Sequence, residues 1–182
     1  MLSKKGNHSP PLKILSLSNP YDLTEDDQGS KFVNKAGDEY LVYITTYYLL
    51  DPDGDHNDYI EVYMLGFDCI LANPIKKRQF DAKTRDTVLS VFEGFMDQNP
   101  NDAYIFVCYN GDGKARNRRI TFGKWFNDSD ASDIYERHHS TINFDNNSLY
   151  SSFIIRTDNP DRDELLKAFR YTVKKTAGGE ED

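Results

Sequence analysis

The chain has 182 residues, a length that fits one ordinary domain with a core of its own. Of these residues 38% are hydrophobic, and the 12 Tyr and 11 Phe are far too many aromatic residues for a disordered chain. The net charge of −8 opposes long-range attraction to nucleic acid and to anionic membranes, so nucleic-acid binding is the weakest hypothesis and we expect no membrane partner.

The two ends of the sequence have the composition of tails. Residues 1–19 predict a flexible N-terminal tail and residues 176–182 a disordered C-terminal tail, which leaves residues 20–175 as a single domain. The start lacks the apolar stretch of a secretion signal, and no apolar run approaches the ~20 residues that cross a bilayer. Cys69 and Cys108 lie in apolar segments and predict reduced core thiols. We therefore expect a cytoplasmic protein.

The first half of the predicted domain consists of strands. Turn residues separate a short run at residues 31–33 from the β-rich run Glu39–Leu50, which predicts a hairpin. In Tyr59–Ile70 apolar residues alternate with other residues, the pattern of a half-buried strand. Gly66 interrupts this run and predicts a bulge or a bend.

A helix and a buried strand follow. Asp81 is the expected N-cap of a helix with an apolar stripe at helical spacing, and Asn99 is expected to end it. Residues 103–109 are apolar on both faces, which predicts a strand in the centre of the sheet. The crossover that leads to this strand is expected to add one parallel pair.

The last part of the domain predicts two more helices and two more strands. A helix is expected at residues 114–126, strands at 133–143 and 148–156, and a last helix capped by Asn159 with Pro160 at its first position. Strands that cluster, rather than alternate strictly with helices, favour an α+β fold. We predict a mainly antiparallel sheet with about three helices packed on one face.

The strongest candidate site is the basic segment at residues 111–119, which contains Lys114, Arg116, Arg118 and Arg119. Arg116 and Arg119 are expected to share one helix face, and Lys114 and Arg118 another. The segment lies where a strand gives way to a helix, and free N–H groups favour an anion there. These bases are predicted to bind a phosphate or a partner's carboxylate. The alternative is that they pair with the protein's own carboxylates or lie in solvent.

Two other polar groups resemble metal sites only in part. Residues 51–58 place carboxylates at alternate positions, but the glycine and glutamate of an EF-hand loop are missing, so a turn between strands is favoured. His138 and His139 are strand neighbours that point to opposite faces, although Glu136 shares a face with His138. We predict no metal and no cofactor. No motif indicates a catalytic nucleophile, and enzymatic activity is left open.

Six short motifs stand out along residues 80–169. In chain order they are VFEGF at 91–95, YIFVC at 104–108, GDGKARNR at 111–118, WF at 125–126, SSFIIR at 151–156 and DNP at 158–160. With these motifs the chain resembles an uncharacterised family of small bacterial proteins known only as a domain of unknown function. The resemblance implies an intracellular bacterial protein and supplies no activity. It draws attention to Arg116, Arg118 and Trp125, either as binding residues or as residues that join helix to sheet.

The leading hypothesis from the sequence is a non-catalytic protein-interaction or regulatory module with a protein partner. It depends on the missing catalytic motifs and on one organised basic turn in an acidic chain. The alternative is an enzyme or sensor that binds a nucleotide or another phosphate-bearing small molecule. In that case Lys114, Arg116, Arg118 and Arg119 hold the phosphates.

Overall fold

The structure is a computed structural model that describes residues 20–54, 58–73, 81–110, 113–144 and 147–177. The strands and helices of these residues are, in chain order, β1 (Thr24–Asp26), β2 (Gly29–Val33), β3 (Glu39–Leu50), β4 (Tyr59–Ile70), α1 (Ala82–Gln98), β5 (Tyr104–Cys108), α2 (Ala115–Asn127), β6 (Tyr135–Phe144), β7 (Asn147–Arg156) and α3 (Arg162–Thr176). A short 3₁₀ turn, Asp130–Asp133, precedes β6.

The predicted tails lie largely outside the described residues. This holds for all of residues 1–19 and for residues 178–182, whereas Thr176 still belongs to α3 and Ala177 ends it. Of the helices that the structure describes, none is long and apolar enough to span a membrane.

The strands form one seven-stranded sheet in the order β1-β2-β3-β4-β5-β7-β6. Neighbouring strands are antiparallel except β4 and β5, which run parallel and are connected through α1. The predicted α+β class with a mainly antiparallel sheet is confirmed. β5 lies inside the sheet between β4 and β7, as its apolar sequence predicted.

The helices cover both faces of the sheet, which corrects the prediction that they pack on one face. α1 and α2 cover one face, where Val88 and Trp125 join the same cluster as Tyr104 of β5. α3 covers the opposite face, where Phe169 joins the cluster of Ile105. Neighbouring residues of β5 are thus buried on opposite sides, and a sheet with two apolar faces needs a helix layer on each.

β4 continues through Gly66 without the predicted interruption. Gly66 pairs with Tyr43 of β3 in an unbroken register. A Cβ built on Gly66 would lie 2.5 Å from carbons of the Tyr43 ring, so the ring lies against the glycine. The glycine therefore makes room for an aromatic side chain instead of bending the strand.

α1 begins where the sequence predicts. The carboxylate of Asp81 accepts hydrogen bonds from the backbone N–H of Lys83, the hydroxyl of Thr84 and the hydroxyl of Tyr21. The last of these bonds fixes the segment that precedes β1 to the start of α1. The N-cap thus has a tertiary role in addition to its local one.

α3 begins two residues later than predicted. The side chain of Asn159 accepts a hydrogen bond from the backbone N–H of Asp161 and donates one to the carbonyl of Asn101, each at 2.8 Å. Asn159 therefore forms a local turn and anchors it to the segment before β5. Pro160 lies in that turn, and Arg162 is the first residue of the helix.

Candidate functional site

The predicted basic segment lies at the beginning of α2, with residues 111 and 112 outside the described part of the chain. The side chain of Lys114, the N-cap, makes no capping hydrogen bond, and the first turn of α2 contains no acidic residue. Cations near a helix N-terminus oppose the helix dipole. This end of α2 is therefore electrostatically unfavourable by itself, and a bound anion would improve it.

The four predicted binding residues lie in different surroundings. Lys114 and Arg116 are exposed. Arg118 donates from its guanidinium to the carbonyl of Tyr109 at 2.5 Å, which joins the helix to the end of β5. Arg119 is half-buried against the sheet, with its guanidinium carbon 5.0 Å from the ring centroid of Tyr150 on β7. The four side chains do not meet at one point, and their role in binding stays a prediction.

A residue from the edge strand, Arg137 of β6, joins Arg119. Its guanidinium carbon lies 5.4 Å from the ring centroid of Phe126, and a Cβ built on Gly123 would lie 3.0 Å from its Nη1 atom. Burial lowers the pKa of Arg137, and the charge of Arg119 lowers it further. The two guanidinium charges on this side of the sheet therefore oppose each other.

Neither Arg119 nor Arg137 has a carboxylate partner among the residues that the structure describes. Other arginines of the same chain do: Arg162 lies 2.5 Å from Glu136, and Arg156 lies 2.8 Å from an aspartate. A half-buried guanidinium without an acid retains its desolvation penalty. On a protein with 30 acids and 22 bases, this pair is the clearest binding feature for an anion.

An apolar cavity of about 60 Å³ lies between α1, α2 and the sheet and is bordered by Arg137. Its walls are mainly apolar and include Phe92, Met96, Phe106, Phe122, Trp125 and Phe126. At about 30 Å³ for each water, this volume corresponds to about two water molecules or a short alkyl group. The cavity therefore suits a small apolar group next to Arg137.

Glu93 of α1 borders the same cavity. Burial raises the pKa of Glu93 to about 7, and three nearby carboxylates contribute to this rise. They belong to Asp97, Asp130 and Asp86. This face of the sheet thus contains an acid that titrates near neutral pH as well as a cation without an acid.

Sequence analysis missed Glu93 and Arg137, although the sequence contains a signal for each. Period-two alternation along β6 places Arg137 on the same face as the buried Tyr135. Glu93 lies four residues after Leu89 and three before Met96, within the apolar stripe of its helix. A charge inside an apolar pattern indicates a buried titratable group in both places.

Metal chemistry gains no support from the geometry. Within the described ranges, no group of three or more His, Cys, Asp and Glu side chains could hold a metal ion. Residues 55–57 of the acidic turn lie outside those ranges, and the flanking Asp51 N–H donates to the carbonyl of Asp58 at 3.0 Å, which closes the hairpin. His138 is half-buried with its Nε2 3.2 Å from Glu136 Oε1, whereas His139 is exposed.

Both cysteines are free thiols, as the sequence predicted. Cys108 is buried at the end of β5, and burial raises its pKa to about 11 although Arg118 and Arg119 act in the opposite direction. At neutral pH this thiol is protonated and a poor nucleophile. Cys69 is half-buried on β4.

The fold defines an α+β protein in which two half-buried arginines, Arg119 and Arg137, lie against α2 and the β6–β7 edge. A model described as a family of unknown function, DUF6169, matches residues 80–171, just over half of the 182 residues. The chain therefore belongs to this family, which confirms the resemblance seen in its motifs. No curated protein and no solved structure matches the chain.

The matched residues begin just before α1 and end within α3. They include Arg119, Arg137 and Glu93, and nearly all of the cavity wall, whereas β1 to β4 lie outside the match. The family description adds no activity, so the function has to be argued from the geometry.

Proposed function

We propose that this protein is a non-catalytic binding module that holds a small anionic ligand, carrying a phosphate or a carboxylate, between Arg119 and Arg137. The observation that supports this most directly is a pair of guanidinium groups with no acid partner among the described residues. The pair lies on a chain of net charge −8, where such groups would be expected to find acids.

The chemistry of the two side chains fits this ligand class. A guanidinium presents its N–H donors as a planar fork that matches two oxygens of a carboxylate or a phosphate. The rings of Tyr150 and Phe126 lie against the two guanidinium groups and restrict their freedom before a ligand arrives. An anion between them replaces the repulsion of Arg119 and Arg137 with attraction and offsets the desolvation of the buried charge.

The two predictions from the sequence relate to this proposal in different ways. The predicted phosphate-binding enzyme or sensor used Lys114, Arg116, Arg118 and Arg119, and of these the proposal keeps Arg119 as the central residue. Arg118 serves the fold through its bond to a backbone carbonyl. The predicted protein-interaction module stays a prediction, and it concerns a different surface, the outer edge of β6.

The experiment is thermal unfolding and isothermal titration calorimetry with defined anions at constant ionic strength. Inorganic phosphate, pyrophosphate, AMP and succinate are compared with chloride, so that phosphate and carboxylate recognition are separated. A ligand at 100 times its Kd stabilises the folded state by about 2.7 kcal/mol. We expect at least one anion to raise Tm in the wild type and to lose this effect in Arg119→Gln and in Arg137→Gln.

Arg116→Gln is the matched control. It removes the same charge from the same helix, but Arg116 is exposed and contacts neither Tyr150 nor Phe126. It should keep the response to the anion. The proposal fails if no anion raises Tm at constant ionic strength, or if Arg116→Gln abolishes the response as completely as Arg137→Gln.

A further inference from the structure

The outer edge of β6 is a long strand edge that pairs with no other strand among the described residues. β6 is the last strand of the sheet, has ten residues and, in the described part of the chain, pairs only with β7. The opposite edge of the sheet is β1, which has only three residues. A long free edge is a template for another strand, and proteins usually shorten or cover such edges.

The register shows which backbone groups face outward. The N–H of Thr157 donates to the carbonyl of Ile134, the residue that precedes β6. Because bonded and non-bonded pairs alternate in an antiparallel ladder, Glu136, His138 and Ser140 direct their backbone groups to β7. The alternate residues of the strand direct theirs to the open side; they are Tyr135, Arg137, His139 and Thr141.

A groove of about 410 Å³ lies beside this edge. α3 contributes Phe169, Arg170 and Val173 to its lining, and β6 contributes His138 and Ser140. A strand added to β6 would place every second side chain over this α3 surface. The half-buried Val173 offers apolar contact there, and the exposed Arg170 offers a positive charge.

The unpaired charges around the edge are arginines, in contrast to the acidic protein as a whole. The acid of the strand, Glu136, is paired with Arg162. Arg137 on the strand and the exposed Arg170 on α3 have no ion pair among the described residues. Two copies of this edge paired with each other would bring these like charges together, which is unfavourable. An acidic strand from another protein is the complementary occupant.

We infer that the outer edge of β6 binds an extended acidic peptide segment of a partner protein, which adds to the sheet as an eighth strand. Backbone hydrogen bonds to Arg137, His139 and Thr141 supply affinity. The groove selects alternate side chains, with apolar ones against Val173 and an acidic one near Arg170. This goes beyond the anion site, because it uses the backbone of β6 and the α3 face of the sheet.

The probe is a fluorescein-labelled decapeptide of alternating Glu and Val with blocked ends, and the matched peptide has Lys in place of Glu. Binding to the full chain is measured by fluorescence anisotropy, and the bound state by amide hydrogen exchange with NMR detection. We expect the Glu peptide to bind at least tenfold more tightly than the Lys peptide. The amides of Arg137, His139 and Thr141 should gain protection on binding.

Two pairs of variants locate the contact. His139→Pro removes an outward N–H without removing a bond to β7 and should weaken peptide binding at least tenfold, whereas His139→Ala keeps that N–H and should bind within threefold of wild type. If His139→Pro fails to fold by circular dichroism, Arg170→Glu replaces it. Its control is Lys124→Glu, the same type of charge reversal at an exposed residue of α2 on the opposite face of the sheet.

Three results would overturn the inference. The first is equal binding of the Glu and Lys peptides, or no binding of either. The second is binding that leaves the exchange of the outward β6 amides unchanged. The third is full protection of these amides in the peptide-free protein, which would assign the edge to another segment of this chain or to a second copy.

Discussion

The two helices α2 and α3, which lie on opposite faces of the sheet, differ in how deeply their side chains are buried. On the α3 face Phe153 is fully buried and its ring stacks on Phe169, with centroids 5.0 Å apart. On the other face α2 contributes aromatic side chains that are only half-buried, and Ala115 is its one buried residue. The cavity, the unpaired arginines and the titrating Glu93 all lie on the α2 side. Side chains of α3 thus belong to a tightly packed core, whereas the α2 side of the opposite face accommodates features that reduce stability.

The largest expected change in the free energy of unfolding comes from removing one aromatic ring on each face. Phe153→Ala should lower the free energy of unfolding by about 3–5 kcal/mol, because a fully buried ring leaves a cavity. Phe122→Ala should cost about 1–2 kcal/mol, because its ring is half-buried and already borders an open space. Urea unfolding gives both values. Equal losses would show that the α2 face is as much a part of the framework as the α3 face.

The sequence predicted most elements because their signals are local. The period-two pattern of Tyr59–Ile70 and the helical stripe after Asp81 each fit within a short window, and both elements have the expected bounds. The face that each helix covers is not a local property. The apolar stripe of α3 is the same whichever side of the sheet it packs on, so its placement needed the tertiary structure.

Of the two arginines of the candidate anion site, only Arg119 was among the residues predicted from the sequence. Arg119 was identified because bases are dense at residues 111–119. Arg137 belongs to a strand that the fold brings beside α2, and no count of neighbouring bases includes it. The gap at Gly123, which leaves room for the Arg137 guanidinium, likewise becomes meaningful only when helix and strand are together.

Removal of the charge on Glu93 tests the α2 side with an intermediate expected change in the free energy of unfolding. The pKa of Glu93 is about 7 in the folded state against 4.5 ordinarily, so its ionisation opposes folding. Its contribution makes the free energy of unfolding fall as pH rises from about 4.5 to about 7, because the folded state binds more protons there. Glu93→Gln should raise stability by on the order of 2 kcal/mol at pH 8 and hardly change it at pH 4.

Urea unfolding at the two pH values measures this difference, and Glu164→Gln on the exposed first turn of α3 is the control. The control should show no comparable gain at pH 8. A gain from Glu93→Gln that is equal at both pH values would indicate altered packing instead of a removed charge.

The smallest expected effect is a change in the free energy of unfolding that has opposite signs for Arg156→Gln and Arg137→Gln. Arg156→Gln should lower stability by up to about 1 kcal/mol, because Arg156 forms two hydrogen bonds with Asp158, at 2.8 and 2.9 Å. Arg137→Gln should raise stability by a few tenths to about 1 kcal/mol without an anion, since it removes a desolvated charge and its repulsion with Arg119. Urea unfolding at low ionic strength in a chloride buffer compares them. A loss of stability in both variants would make Arg137 a structural residue, whereas opposite signs would show that the fold retains Arg137 at a cost in stability.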